Sequence, residues 1–200
     1  MIPAKIARYL QRNFLGEDKS WGQSPFNTLL TPEEAHCLFN TVKVLGQGNY
    51  ADLGVMFGGS TAIIGHALSL ARHPGTIYAV DLFGQIVKDK VIGSSTASEK
   101  LITYFKKFPM LTLQTCKGTT DEWADKLDIP FNFIFIDADH SYEAVKKDFE
   151  KWSPKVKIGG CIGFHDTDLK SVSTAIEQVK LNNWSLIEHI DSLKIFKREF

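Results

Sequence analysis

Residues 51–61 carry the sequence ADLGVMFGGST, and this stretch decides the fold. A short apolar run comes first, a turn containing Gly54 and Gly58 follows, and a helical pattern begins directly afterwards. Glycine lets the backbone reverse sharply and lets a ligand approach closely. The free N–H groups at a helix N-terminus also favour an anion. The order of strand, glycine turn and helix predicts one βα unit with a ligand site at its turn, although a tight turn without a ligand is the alternative.

The same alternation continues along the chain. Apolar runs predict strands at 51–55, 77–81, 111–115, 131–137 and 161–165, and helical patterns lie near 59–72, 97–107, 120–127, 141–152 and 168–181. Alternating βα units predict an α/β fold, a doubly wound and mostly parallel sheet with helices on both faces.

The C-terminus departs from this alternation. There, WSLIEHI and LKIFKR are joined only by Asp191-Ser192, which predicts a hairpin. We therefore expect a sheet of seven strands in which a strand at the end is antiparallel.

A single domain is expected for 200 residues. We divide it into an N-terminal helical cap, residues 1–46, and a Rossmann-like core, residues 47–200. Thr31-Pro32-Glu33-Glu34 predicts a capped helix that ends at Gly46. An earlier helix is predicted from an apolar stripe, Ile2, Ile6, Tyr9, Leu10 and Phe14. These N-terminal helices could cover the site or form a homodimer contact.

Composition excludes several classes of function. Lys and Arg number 23, as do Asp and Glu, so a basic face for nucleic acid or a membrane surface is not expected. No apolar run reaches the roughly 18 residues of a membrane-spanning helix. The N-terminus lacks a signal-peptide pattern, and the three widely spaced cysteines predict buried thiols rather than disulfides. We therefore expect a cytoplasmic protein.

Asp81 ends the second predicted strand, 27 residues after Gly54. In a doubly wound sheet an acid at this position often accepts hydrogen bonds from ribose hydroxyls, although a helix cap is the alternative. The turn matches neither G-x-G-x-x-G nor a phosphate-binding P-loop. Together, the turn and Asp81 predict a nucleoside ligand.

Two further polar clusters follow the next two strands. FIFIDADH places Asp137, Asp139 and His140 after one strand, and GFHD places His165 and Asp166 after the next. Neighbouring parallel strands would bring them to one crevice, where carboxylates suit a hard cation such as Mg²⁺. His140 could then serve as a general base. Helix capping is the alternative for the acids.

The D-x-G-x-x-x-G-x-S turn, together with Asp81 and the C-terminal hairpin, resembles the cofactor site of class I S-adenosylmethionine-dependent methyltransferases. The resemblance covers residues 47–200 and implies an S-adenosylmethionine cofactor. It implies that Asp52, Gly54 and Gly58 form the cofactor turn, that Ser60 binds the methionine carboxylate and that Asp81 binds the ribose. Residues 118–121, Thr120 among them, are similar to an adenine-contacting loop, with a simple helix cap as an equal alternative.

The second constellation is similar to that of small-molecule O-methyltransferases of the macrocin, caffeoyl-CoA and catechol types. This similarity implies a divalent cation on Asp137, His165 and Asp166. It also implies that Asp137 contacts the cofactor and acts in catalysis, and that His140 stands in the position of the base. The catechol and caffeoyl-CoA types usually have Asp-Asn where this chain has His165-Asp166, so the identity and presence of the metal stay open.

The sequence says least about the acceptor substrate. A small hydroxylated molecule is expected, with N-methylation also open. Residues 83–100 could form a lid or a surface connection, and Trp21 and Phe26 could contact the acceptor or anchor packing. An NAD-dependent oxidoreductase and a non-catalytic nucleoside-binding protein are the two alternative functions.

Overall fold

The computed structural model describes residues 26–87, 90–92, 94–179 and 181–200, with the backbone alone at 85–87 and 90–92. The helix expected from the stripe at 2–14, and Trp21, lie outside these residues. The helices are α1 (Pro32–Val44), α2 (Gly59–Leu70), α3 (Ala97–Phe105), α4 (Thr120–Lys126), α5 (Tyr142–Trp152) and α6 (Lys170–Gln178). The strands are β1 (Gly48–Leu53), β2 (Gly75–Asp81), β3 (Gln85–Val87), β4 (Lys90–Ile92), β5 (Leu111–Lys117), β6 (Phe131–Ile136), β7 (Val156–Phe164), β8 (Trp184–Ile190) and β9 (Leu193–Arg198).

Seven of these strands form one sheet in the order β5-β2-β1-β6-β7-β9-β8. Strands β5, β2, β1, β6 and β7 pair in parallel, and β9 is antiparallel to both β7 and β8. The expected Rossmann-like sheet with a C-terminal hairpin is therefore confirmed. Leu53 lies opposite both Val80 and Ile136, so the loops after β1, β2 and β6 leave the sheet at one level. This level, the carboxyl edge, carries all the predicted site residues.

The central strand β6 is buried along its whole length because both faces of the sheet are covered. Phe133 and Phe135 pack in the cluster formed with α1, α2 and α3, whereas Ile134 and Ile136 pack in the cluster with α4, α5 and α6. Alternation along a strand produces this division. Each fully buried side chain of this kind contributes roughly 1.5–3 kcal/mol.

Helix α1 begins as its sequence predicts. The Thr31 hydroxyl accepts from the Glu34 N–H, and the Glu34 carboxylate accepts from the Thr31 N–H, which completes the capping box. Phe26, 3% exposed, packs edge-to-face on Tyr104 at 5.2 Å between ring centroids. Of the two roles considered for Phe26, the structure shows the packing anchor.

The stretch after Asp81 contains a small antiparallel hairpin, β3 and β4, before α3 begins. All three cysteines are free and buried, as expected. Among the described residues, no helix has the length and apolar character needed to cross a membrane.

Candidate functional site

The glycine turn after β1 brings two loops into close approach. Gly54 has φ +95°, and a Cβ there would lie 2.2 Å from the backbone oxygen of Asp137. Gly58, with φ +93°, forms the N-cap of α2. Both positions require glycine, because positive φ strains other residues and the space beside Gly54 is taken. The turn at Gly54 therefore lies directly beside the loop after β6.

Beneath the turn lies Asp52, which has no exposed surface. Its Oδ2 accepts a hydrogen bond from Ser60 at 2.7 Å and another from Thr61, whereas Oδ1 has no hydrogen-bond partner. Burial raises the pKa of Asp52 to about 7, although the bonds from Thr61 and Ser60 act in the opposite direction. The unpartnered oxygen leaves Asp52 able to accept a further donor.

Ser60 was expected to bind a methionine carboxylate. The structure instead turns its hydroxyl hydrogen inward to Asp52, and the residue is 6% exposed. Binding of an anion at this turn would therefore fall to the backbone N–H groups at the start of α2. The direct role of the Ser60 hydroxyl does not fit this arrangement.

Asp81 holds the turn in place. Its Oδ2 accepts from the N–H groups of Val55 and Met56, each at 2.9 Å, and Oδ1 accepts from the Phe83 N–H at 2.6 Å. Met56 and Phe83 both have positive φ, which is strained for side-chain-bearing residues. Asp81 stabilises that strained backbone and stays half-buried, so the ribose-binding role is a prediction compatible with its position.

At the loop after β5, the structure favours the capping alternative for the side chains. Thr119 and Glu122 form a complete capping box for α4. The Thr120 hydroxyl donates to Asp148 Oδ1 at 2.5 Å, on the neighbouring helix α5. The cofactor contact expected of Thr120 is therefore not made by its hydroxyl in this arrangement, although the loop does reach the carboxyl edge.

Three polar groups meet at the ends of β6 and β7. The Nε2 atom of His140 lies 3.1 Å from Asp166 Oδ2 and 3.5 Å from Asp137 Oδ1. Neither contact has the alignment of a hydrogen bond. One potential ligand atom from each of Asp137, His140 and Asp166 lies within 4.8 Å of the others, the spacing of a small metal site. This cluster of Asp137, His140 and Asp166 is called the edge cluster below.

The edge cluster is not explained by helix capping. Asp139 accepts from the N–H of Ser141, the N-cap residue of α5, at 2.7 Å, which forms a local turn before the helix, and α5 has no side-chain cap. Asp166 likewise does not cap α6 with its side chain and adopts φ +53°, a strained conformation. The contacts with Asp137 and Asp166 raise the pKa of His140, with burial acting in the opposite direction. His140 therefore holds its proton more tightly than a free histidine does.

His165 requires a correction to the expected metal set. It is 5% exposed, with Nδ1 3.2 Å from Asp137 Oδ1 and Nε2 3.2 Å from Glu34 Oε2. Both ring nitrogens are engaged, so neither is available to a cation. The alternation of β7 explains this direction, because Phe164 packs on the α4–α6 side and the next residue turns towards α1. In this structure the imidazole grouped with Asp137 and Asp166 is that of His140.

The pKa values of His165 and Glu34 agree with these contacts. Burial lowers its pKa, but the contacts with Asp137 and Glu34 outweigh burial and raise the pKa to about 10. For Glu34, burial raises the pKa, yet hydrogen bonds involving His165, Ser192 and Thr31 prevail and lower it to about 2. The two carboxylates therefore favour the protonated form of His165, in which both ring nitrogens are donors.

Glu34 is the site residue that sequence reasoning missed. Its capping box was recognised, but a capping glutamate is usually exposed and Glu34 is 1% exposed. The apolar stripe of α1 offered a signal, since Glu34 lies next to Ala35 and one turn before Leu38, both buried. A charged residue on that side of a helix needs a charged partner.

A cavity of about 850 Å³ lies between α1 and the strands β7, β8 and β9. Cys37, Val44, Cys161 and Ile190 are among its lining residues. None of the edge cluster or the glycine turn lines it. It is therefore separate from the carboxyl edge, where the predicted site residues lie.

Comparison with known proteins identifies the class. A family model described as "Methyltransferase domain" matches residues 51–167, more than half of the chain. The matched range includes the glycine turn and all three residues of the edge cluster, Asp137, His140 and Asp166. The chain therefore belongs to this family, and it is a class I S-adenosylmethionine-dependent methyltransferase.

Solved structures share the fold. The O-methyltransferase NovP matches with a TM-score of 0.70 and 15% identity, over 86% of this chain and 82% of NovP. CalS11, a calicheamicin methyltransferase, matches with a TM-score of 0.58 and 15% identity, over 82% of this chain and 76% of that one. An rRNA methylase from Streptococcus thermophilus matches with a TM-score of 0.59 and 12% identity, over 86% of this chain and 99% of its own. The NAD-dependent oxidoreductase and the non-catalytic binding protein are not favoured.

Proposed function

We propose that this methyltransferase transfers the methyl group to a hydroxyl oxygen of a small molecule, with a divalent cation assisting. The observation that carries the proposal is the edge cluster, which lies next to the glycine turn through the close approach of Gly54 to Asp137. An O-methyltransferase needs a group that takes a proton from the acceptor, and the edge cluster offers one. The similarity to NovP in fold agrees with this choice.

The residues around the turn fit S-adenosylmethionine. Asp52 keeps a buried oxygen without a partner, and the start of α2 offers N–H groups at its positive end. Asp81 keeps the backbone of Val55 and Met56 in the shape that the ligand would contact. The cofactor supplies an activated methyl group, so the main task of the chain is to align it with the acceptor.

The donor set of the edge cluster fits a divalent cation. Asp137 and Asp166 would hold it through carboxylate oxygens, the ligands that Mg²⁺ and Mn²⁺ prefer. A cation bound there lowers the pKa of a hydroxyl group that it contacts. The strained φ of Asp166 and the unaligned Nε2 of His140 both support a ligand at this position.

His140 would receive the proton of the acceptor. Its pKa is raised by the contacts with Asp137 and Asp166, so without a cation the ring gives up its proton less readily than a free imidazole does. Neutralising part of the carboxylate charge would lower that pKa. Activity should therefore rise with pH, and the rise should lie at lower pH at saturating than at limiting cation concentration.

The experiment combines binding and turnover. Isothermal titration should show S-adenosylmethionine binding to the wild type and to Asp166→Asn, because Asp166 lies outside the glycine turn. Turnover on a panel of hydroxylated small molecules should depend on Mg²⁺ or Mn²⁺ and should be lost in Asp166→Asn. His140→Asn should abolish the pH-dependent rise while Mn²⁺ still binds; loss of Mn²⁺ binding would assign His140 to the ligands.

A matched control is Asp139→Asn, which alters a neighbouring acid outside the edge cluster and should keep both cation binding and turnover. Turnover on RNA but on none of the small molecules would overturn the proposed acceptor class. Full activity in the presence of a chelator would overturn the role of the cation. The balanced charge of the chain, 23 basic and 23 acidic residues, favours the small molecule.

A further inference from the structure

Glu34 makes many more contacts than a helix cap needs. Oε1 accepts from the Ser192 N–H at 2.9 Å and from its hydroxyl at 2.7 Å. Oε2 accepts from the Thr31 N–H at 2.7 Å and lies 3.2 Å from His165 Nε2. Burial of a carboxylate is costly unless charged and polar groups surround it, and here they do.

A second capping box in the same chain gives the comparison. Glu122 on α4 accepts from the Thr119 N–H at 3.1 Å and is exposed. It completes its cap without a buried cationic partner. The capping role therefore does not account for the position of Glu34 against His165.

The contacts continue from Glu34 to the edge cluster. His165 uses Nε2 for Glu34 and Nδ1 for Asp137 Oδ1, the same oxygen that lies 3.5 Å from His140. His165 is buried and packs on Phe135, and the carboxylates at its two nitrogens set the orientation of the ring. The Ser192 hydroxyl also lies 3.3 Å from Nε2. Asp137 is partly exposed, and its Oδ1 is hydrogen-bonded to the buried His165 ring, so the ring orients the carboxylate.

We propose that Glu34 is a positioning residue for the edge cluster: it fixes the ring of His165, which in turn fixes the Asp137 carboxylate towards the cation and acceptor. This inference rests on the proposed function, because it takes Asp137 as a cation ligand. Partners that orient a ligand from behind commonly change metal affinity by about 10–100-fold when they are replaced. These contacts connect α1 and the turn between β8 and β9 to the carboxyl edge.

The test compares Glu34→Gln with Thr31→Ala. Thr31→Ala removes the capping hydroxyl and its hydrogen bond to Asp191 Oδ2, but that hydroxyl takes no part in the contacts of the Glu34 carboxylate with His165 and Ser192. Mn²⁺ affinity is measured by electron paramagnetic resonance, and S-adenosylhomocysteine affinity is measured by calorimetry. The ring N–H signals of His165 are followed by NMR, which depends on neither the cation nor turnover.

For Glu34→Gln we expect Mn²⁺ to bind about 10–100-fold more weakly, S-adenosylhomocysteine to bind as in the wild type, and the Nε2–H signal of His165 to shift or vanish. Thr31→Ala should match the wild type in all three measurements. If Glu34→Gln fails to fold, Glu34→Asp withdraws the carboxylate from His165 by one methylene while it keeps the charge, and the same weakening is expected.

Wild-type Mn²⁺ affinity in the Glu34 variants would overturn the inference alone. Equal weakening in Thr31→Ala would also overturn it, because the helix end rather than the His165 contact would then be responsible. Failure of the wild type to bind Mn²⁺ would overturn both this inference and the role of the cation in the proposed function. Failure to bind S-adenosylhomocysteine would count against the cofactor turn instead.

Discussion

Replacement of Asp52 by Asn should remove a pH dependence from the stability of the fold. Asp52 is fully buried, and its pKa is raised from 3.8 to about 7, chiefly by burial. In the unfolded chain the same carboxyl ionises near its ordinary value. Between these two pKa values the folded state therefore binds one more proton than the unfolded state, and the free energy of unfolding falls as pH rises.

The magnitude follows from the two pKa values. One pH unit corresponds to about 1.4 kcal/mol, so the folded state loses about 4 kcal/mol in all, with the loss levelling off above about pH 7. In the accessible range from about pH 5 to pH 8 the loss is about 2–3 kcal/mol. The amide of Asn cannot ionise, so Asp52→Asn should lose this component entirely.

The assay is urea unfolding of wild type and Asp52→Asn at a series of pH values from 5 to 8, without cofactor. Asp148, whose pKa burial raises to about 6, titrates in the same window, so the informative quantity is the difference between the two proteins. As pH rises, the free energy of unfolding of Asp52→Asn should increase relative to that of the wild type. Parallel curves for the two proteins would refute the raised pKa of the buried Asp52.

Three further predictions concern the turn and the core. Gly54→Ala should abolish S-adenosylhomocysteine binding in calorimetry, because the new Cβ would overlap the Asp137 backbone. The control Gly159→Ala, also at positive φ but in open space, should bind normally. Equal binding by the two variants would contradict the close approach of Gly54 to Asp137. In Asp81→Asn an NH₂ group would face a backbone N–H that now donates to a carboxylate, at a cost of about 1–3 kcal/mol, so cofactor binding should weaken by about 5–150-fold. Unchanged affinity would show that Asp81 does not support the turn. Trp152→Ala should cost about 3–5 kcal/mol in urea unfolding because the fully buried ring packs on Phe131, and a loss below about 1 kcal/mol would contradict that packing.

The fold could be predicted almost completely because its signals are local. The continuous apolar run of β6, the capping box of α1 and the short connection before β9 each lie within about ten residues and follow periodicity or turn chemistry. The glycine turn belongs to the same group. Asp137 and Asp166 were placed at one edge because parallel neighbours end at the same level.

The details of the site depended on information that no local pattern contains. Whether His140 or His165 faces the acids depends on which face of the sheet each ring reaches, and α1 supplies the partner that draws His165 away. That partner, Glu34, lies 131 residues from His165 along the chain. Ser60 was assigned to a ligand because a hydroxyl at a helix start commonly binds anions, but the buried Asp52 beneath it competes for the same hydrogen.

The contacts of Glu34 also bear on how the domain is assembled. Glu34 is joined to Ser192 across 158 residues, so the arrangement at the edge exists only after the last hairpin has docked. Loops of this length form slowly relative to local helices and hairpins. A chain emerging from the ribosome can build α1 and the glycine turn early, but the Glu34 carboxylate lacks its Ser192 partner until the C-terminal strands arrive. Catalytic activity would then appear late in folding, and a partly folded chain would be inactive.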